Sequence, residues 1–366
     1  MVATVTRSQV LGFRVRAQQL DRDSTTLADV SVLDIGVQDT GPDGALWALA
    51  IRGLDVSAIA ERDLVMLWTI RGAPHAYRRK DLPSIAAAVA PFSEADAGKR
   101  IFDASKPLKA AGISNLTALD VVAATMRSVV TEPTPKGEVS GQLSALLDPP
   151  YLRSCRPCNA THIYEMPFRL AALRAGLELQ ADTSPPVLQS LGRVKAAAKP
   201  SPRHDTIRAY LRLLGPATPK QVADYLDAPV KDVTARWPDD VVEVSVVGEQ
   251  RWLLADDADG VAAGVAKTTR LLGPYDLFLQ TKDRPLLVGD PARAKELWPV
   301  LGRPGAVLVD GEVAGMWRPR KSGKSLKVLV ELWTRPSAAL RKAIAAQAEL
   351  LAAHRHVALS AVAYDA

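Results

Sequence analysis

Cysteine is nearly absent: two residues in 366, at Cys155 and Cys158. Two neighbouring thiols make no disulfide framework, which excludes a small stapled extracellular domain. Long apolar runs are missing too, so no segment reads as the roughly 20-residue span of a membrane helix. The opening "MVATVTRSQVLGFRVRAQQL" has no continuous apolar stretch. Val10, Phe13, Ala17 and Leu20 alternate there with arginines, the pattern of an amphipathic helix and not of a signal peptide. No phosphate-binding loop, dinucleotide fingerprint or Ser-His-Asp arrangement is evident. The expectation is a cytoplasmic protein with no membrane attachment.

Cys155, Cys158 and His162 in "CRPCNATH" have zinc-like spacing. A structural zinc takes four ligands, and the other histidines, His204, His354 and His356, lie far away in sequence. No metal and no cofactor are expected.

What the chain does have is 48% hydrophobic residues, a globular composition, and enough length for two or three domains. Its net charge is +6 with a pI near 9.3, a moderate basic excess that favours a polyanionic partner.

Helical patterns lead. Arg7 to Leu20 reads as one helix. Ser24 or Thr25 caps a second that runs toward Gln38, and Ala45 to Leu54 is a third. "LVMLWTIRGAPHAYRR" then reads as two short strands around Gly72, Ala73 and Pro74, and Lys80 to Ala90 returns to helix. Three helices followed by a hairpin is the order of a winged helix. A second unit has helices at Leu116–Val130 and after Pro135, the latter carrying Val139, Leu143 and Leu146. The third is clearest. Asp205–Leu214 is a helix, and "GPATPKQVADYLDAPVKDVTARW" is helix, turn, helix with Thr218 as N-cap and Pro219 at the first helical position. "VVEVSVVGEQRWLL" follows as a wing around Gly248. "TPKGEVSGQL" at Thr134 echoes "TPKQVADYL" at Thr218, a weak internal repeat.

Beyond Asp257, "RPLLVGD", "GAVLVDGEVAGMWRPR" and "KSLKVLVELW" read as strands of a small antiparallel domain, closed by a helix over 336–354. The linkers fall at "DTSPP" near Asp182 and "AAAKPSP" near Lys199. The expected architecture is α+β: tandem winged-helix (helix-turn-helix) units at 1–110, 111–185 and 186–257, then a C-terminal antiparallel β-rich domain over 258–366.

Positive charge gathers in three places. Arg71, Arg78, Arg79 and Lys80 decorate the first hairpin. Arg193, Lys195, Lys199, Arg203, Arg208 and Arg212 lead into the third unit. Arg318, Arg320, Lys321, Lys324 and Lys327 fall in one C-terminal hairpin with no acidic residue among them. Charge runs are usually solvated faces. Clusters on wing-like hairpins beside a repeated helix-turn-helix pattern fit phosphate neutralisation along double-stranded DNA, bound by a monomer.

One stretch, "DIGVQDTGPDGALWALAIRG" from Asp34 to Gly53, sets Gln38, Asp39 and Thr40 side by side between apolar segments. The plain reading is a helix end whose polar residues satisfy backbone groups before the Gly41-Pro42 turn. The other reading is a ligand-facing element.

"VQDTGPDGALWAL", "WTIRGAPHAY", "EMPFRLAALRAGL", "LLGPYDLFLQTKDRPLLV" and "GRPGAVLVDGEVAGMWRPR" together resemble the AlkZ/YcaQ-type tandem winged-helix DNA glycosylases, helix-turn-helix family 42, in an actinobacterial branch. The resemblance covers nearly the whole chain. It implies three winged-helix units and a β-rich domain around a concave DNA-binding surface. It also implies hydrolysis of the N-glycosidic bond of alkylated purines, including those in interstrand crosslinks. The family signature of Gln, an apolar residue, then Gln or Asp falls on Gln38, Asp39 and Thr40. Gln38 matches; Asp39 stands where the apolar residue belongs, and Thr40 where Gln or Asp belongs. "RGAPH" matches the family's Arg-Gly, two residues, His pattern. It marks Arg71 and His75 as DNA contacts, His75 to a phosphate or to the lesion. The basic clusters add Arg78, Arg79, Arg203, Arg318, Arg320, Lys321 and Lys324 as cationic contacts.

The chemistry such a site must perform is modest. An N7-alkylpurine is a cationic leaving group, so hydrolysis needs a positioned water and stabilisation of oxocarbenium-like charge more than a strong acid. A glutamine amide holds water; a carboxylate also stabilises charge. On a helix, neighbours differ by about 100° in direction, so Asp39 points away from the side Gln38 faces. No lysine in the motif is available for a Schiff base, so water is the expected nucleophile. The rival is a non-catalytic DNA-binding protein, a damage sensor or regulator that kept the scaffold and lost the catalytic residue.

Overall fold

Strand pairing in this chain crosses the boundaries expected within residues 1–257. A computed structural model describes residues 3–42, 44–156, 159–192 and 194–364; Asp43, Cys158 and Arg193, named above, lie outside them. A three-stranded sheet joins the N-terminal strand Ala3–Val5, in parallel, to the third unit's wing, Val241–Val246 and Glu249–Leu254. A six-stranded sheet begins at its edge with Val37–Gln38. It continues through Pro74–Arg78 and Leu64–Trp68 to Leu177–Leu179, Val187–Ser190 and Thr134–Pro135. The first hairpin and the second unit's strands are therefore one surface.

The third unit follows local signals closely. Asp205 caps Thr206–Leu214 by accepting from two backbone N–H groups. Thr218 and Gln221 form a reciprocal capping box on Pro219–Leu226. Asp227 turns left-handed and Val230–Thr234 completes the helix-turn-helix. The wing turns at Val247 and Gly248, both at positive φ, as a tight hairpin with right-handed strand twist demands.

The C-terminal five-stranded sheet runs Thr269–Leu272, Gly305–Val309, Glu312–Ser322, Ser325–Leu332, Ala358–Tyr364. Its first four strands pair antiparallel and the last joins in parallel, after the helix Ala338–His354. "RPLLVGD" is not a strand. Arg284–Leu287 is one helical turn with Pro285 at its start, and Leu286 and Leu287 are buried. Leu146, expected inward, is exposed.

The expected helix from Ser24 toward Gln38 is also absent. Ser31–Asp34 is a single 3-10 turn and Val37–Gln38 a short strand. The cause is tertiary. Val30, Val32, Leu33, Ile35 and Val37 are all buried, leaving no polar face for a surface helix. Gly36 breaks the run at φ +93°, where a Cβ would lie 2.4 Å from the Tyr77 ring.

Buried arginine–aspartate pairs fasten the segments. Arg52, at the end of the helix Ala45–Ala50, meets Asp276 of the C-terminal domain at 2.7 Å with both side chains fully buried. Arg14 of the N-terminal helix and Arg251 of the third wing share Asp283. Burial works against charge on Asp283, but Arg14, Thr281 and Arg251 overcome it and hold its carboxyl below the usual range. Arg78 and Arg203 share Asp34, each at 2.8 Å. Each knot joins segments far apart in the chain.

Candidate active site and nucleic-acid interface

Gln38 sits on the edge strand of the six-stranded sheet, directly opposite His75. Opposed residues in an antiparallel pair share a face, so the two side chains project together. In extended backbone, side chains alternate, and this separates the three polar residues. The Gln38 amide Nε2 donates to Thr40 Oγ1 at 3.0 Å. Asp39 between them turns the other way. Its Oδ1 accepts from the backbone N–H of Ala45 at 2.8 Å and so caps the helix Ala45–Ala50. Gly44 is required beside it, because a Cβ there would lie 2.2 Å from Asp39 Oδ1. Burial raises the Asp39 pKa, its bond to Ala45 opposes this, and the nearby Asp182 carboxylate raises it further. Asp39 thus turns away from Gln38 because the backbone there is extended, not helical. Gln38 and Thr40 act as a pair, and Asp39 holds the loop.

His75 is buried, 1% exposed. Its Nδ1 lies 2.9 Å from the carbonyl of Ala73 and 3.1 Å from Thr69 Oγ1. A carbonyl only accepts, so Nδ1 carries the proton and Nε2 is an acceptor; that Nε2 is buried with no partner. Burial, then the charge of Arg71, push the imidazole pKa down to about 3, with the Ala73 carbonyl opposing. His75 is therefore neutral at physiological pH. The Tyr77 hydroxyl joins Thr69 at 2.9 Å, extending the polar network under the hairpin turn.

The foreseen cations divide sharply. Arg78 is 1% exposed and committed to Asp34 and to the carbonyls of Leu27 and Val30, so it has no surface from which to reach DNA. Arg79 binds Glu178 at 2.7 Å and Arg203 is held by Asp34, so each already has a carboxylate. Arg71 occupies a left-handed turn position, φ 57°. Its guanidinium lies over the Tyr225 ring and donates to the Tyr225 carbonyl and to Gln280 Oε1, all neutral partners. Arg318, Arg320, Lys321 and Lys324 are exposed on the C-terminal hairpin. There Arg320 stands directly opposite Lys327. Like charges in that position repel, which suits a hairpin that meets an anion. Cys155 and His162 lie on paired strands, Leu152–Cys155 and Ala160–Ile163, facing Ala160 and Arg153 respectively. Among the described residues no group of three or more metal-ligating side chains occurs.

Sequence reasoning missed four groups. Lys282 and Arg303 are cations near Arg71, Arg284 is a cation near Lys282 and Arg303, and Asp182 is a carboxylate near Asp39. The only local signal was "TKDRP", two cations within three residues.

A helix-turn-helix with its wing, hairpins carrying surplus cations, and a polar site poor in carboxylates define a nucleic-acid-binding protein of winged-helix type. The chain belongs to the AlkZ-like DNA glycosylase family, whose model, described as "DNA glycosylase AlkZ-like", matches residues 32–354. Its role is thus that of a DNA glycosylase in DNA repair, with DNA as substrate. The fold matches that of Streptomyces sahachiroi DNA glycosylase AlkZ with a TM-score of 0.73 at 21% identity, covering 99% of this chain and 100% of that one. No curated protein matches the sequence significantly. Among the described residues, no helix is long and apolar enough to cross a membrane.

Proposed function

We propose that this protein is a monofunctional glycosylase that releases N7-alkylpurines from double-stranded DNA, using water held by Gln38 and Thr40. The observation that carries the reading is the shared face of Gln38, Thr40 and His75, with Asp39 turned away into a helix cap. Gln38 Oε1 makes no hydrogen bond among the described residues, and the Thr40 hydroxyl accepts from Gln38 and retains its own proton to donate. One acceptor and one donor orient a water without deprotonating it. Catalysis of this kind suits a substrate that already carries positive charge on the leaving base, and it fails on an ordinary nucleobase.

Arg71, Arg318, Arg320, Lys321 and Lys324 are the DNA-contacting cations in this reading. The protein works as a monomer in the cytoplasm and needs no cofactor. A second reading has one specific support: Thr40 replaces the Gln or Asp of the family signature, so the protein binds damaged DNA without cleaving it. Base release from a duplex containing one N7-methylguanine separates the two. Wild type releases the base and Gln38→Ala loses about a hundredfold or more in rate with affinity unchanged. Tight binding without release by wild type establishes the second reading.

A further inference from the structure

Most buried arginines of this chain have a carboxylate. One group of cations does not. Arg71 lies at the turn of the first hairpin, Lys282 and Arg284 flank Asp283, and Arg303 precedes the strand Gly305–Val309. Neutral groups hold all three guanidiniums. Arg71 rests on the carbonyl and ring of Tyr225 and on Gln280. Arg284 lies over Trp298 at 4.8 Å and Arg303 over Tyr275 at 4.9 Å. Carbonyls, an amide and aromatic faces fix a cation's position without cancelling its charge. Arg303 Nε is buried and has no partner at all.

The groups that hold these cations are neighbours: Gln280, which binds Arg71, donates to the carbonyl of Tyr275 at 2.7 Å, and Trp298, under Arg284, donates to the carbonyl of Leu279 at 3.3 Å. Lys282 is pulled down to about 8, first by burial and then by Arg71 and Arg284, against the weaker opposing pull of Asp224 and Asp227. Arg303 feels burial and Arg71; Arg284 feels burial and Arg303. Arg303 also lines a cavity of about 130 Å³ together with Arg318 and Arg320, which connects the cluster to the C-terminal hairpin.

As a structural device the cluster is a poor one, since like charges gathered without a salt-bridged carboxylate repel; Arg71, Lys282 and Arg303 are half-buried and Arg284 is exposed. Groups that break a local rule in this way are characteristic of binding sites. The complementary ligand is anionic, rich in acceptor lone pairs and matched to the guanidinium fork, which describes a phosphodiester. Position supports this too: Arg71 lies at the turn leading into the strand Pro74–Arg78, which carries His75, and His75 stands opposite Gln38.

We propose that Arg71, Lys282, Arg284 and Arg303 form a site for one backbone phosphodiester of the strand carrying the reacting nucleotide, placing that nucleotide in register with Gln38 and Thr40. The inference rests on the glycosylase reading above.

The test uses short duplexes with a stable tetrahydrofuran abasic analogue. In each, one neighbouring phosphodiester is replaced by an uncharged methylphosphonate. On the unmodified duplex, Lys282→Gln and Arg303→Gln each weaken binding about tenfold. At one backbone position the methylphosphonate costs wild type more than a single cation's share and costs each variant clearly less, because the charge it removes has already lost one of its four partners. Removing a repelling charge also leaves the melting temperature of free Lys282→Gln unchanged or raised. Additive losses at every backbone position overturn the proposal, and so does a Lys282→Gln protein that melts earlier but binds normally. A wild type that binds none of the duplexes removes the glycosylase reading itself, a result distinct from either.

Discussion

Two sets of arginines in this chain look alike in sequence and do opposite work. Arg14, Arg52 and Arg78 are almost completely buried, and each ends on an aspartate from a distant segment. Arg71, Arg284 and Arg303 are less buried, and each ends on a carbonyl, an amide or a ring. The first set is electrically finished, and in the Arg52–Asp276 pair removing either member strands the other in a dry interior. The second keeps its charge available. Burial alone does not separate structure from function here; the identity of the partner does.

The largest expected effect breaks the first set. Arg52→Met leaves Asp276 uncompensated in the core and lowers stability by about 3 to 5 kcal/mol. Chemical denaturation measures it. Arg284→Gln, from the second set, leaves stability within about 0.5 kcal/mol and lowers DNA affinity instead. If the two variants exchange these phenotypes, the distinction collapses.

A smaller effect sharpens the second set. Lys282 sits near 8 in the folded protein, below the ordinary lysine value of about 10.4 that it regains on unfolding. Between those values the unfolded chain binds more protons, so its contribution makes free-protein stability rise as pH rises. DNA affinity moves the other way, falling as Lys282 loses its charge. Both trends should flatten in Lys282→Gln, as melting and binding across pH 7.5 to about 10 would reveal.

How far the sequence reached follows the same line. The third unit was legible because its signals are local: Thr218, Pro219 and Gln221 make their cap within four residues. The first hairpin was legible from its apolar runs and the turn at Gly72. The element carrying Gln38 was not. Its strand exists because Pro74–Arg78, more than thirty residues later, supplies the ladder, and no local period shows that. Charge was least legible. Arg78 finds Asp34 across 44 positions and Arg52 finds Asp276 across 224, so a basic cluster on the page held both structural and ligand-ready cations. The candidate residues Gln38, Asp39 and Thr40 were marked by motif, but the separate directions of their side chains needed the strand.

That division is the centre of the account, and single-turnover release of N7-methylguanine from duplex DNA tests it most directly. Thr40→Val removes the hydroxyl that pairs with Gln38 and should slow release by about tenfold or more. Asp39→Asn keeps an oxygen to cap Ala45 and should stay within about twofold of wild type. A large loss in Asp39→Asn with little change in Thr40→Val would make Asp39 the catalytic group and contradict the roles the strand assigns.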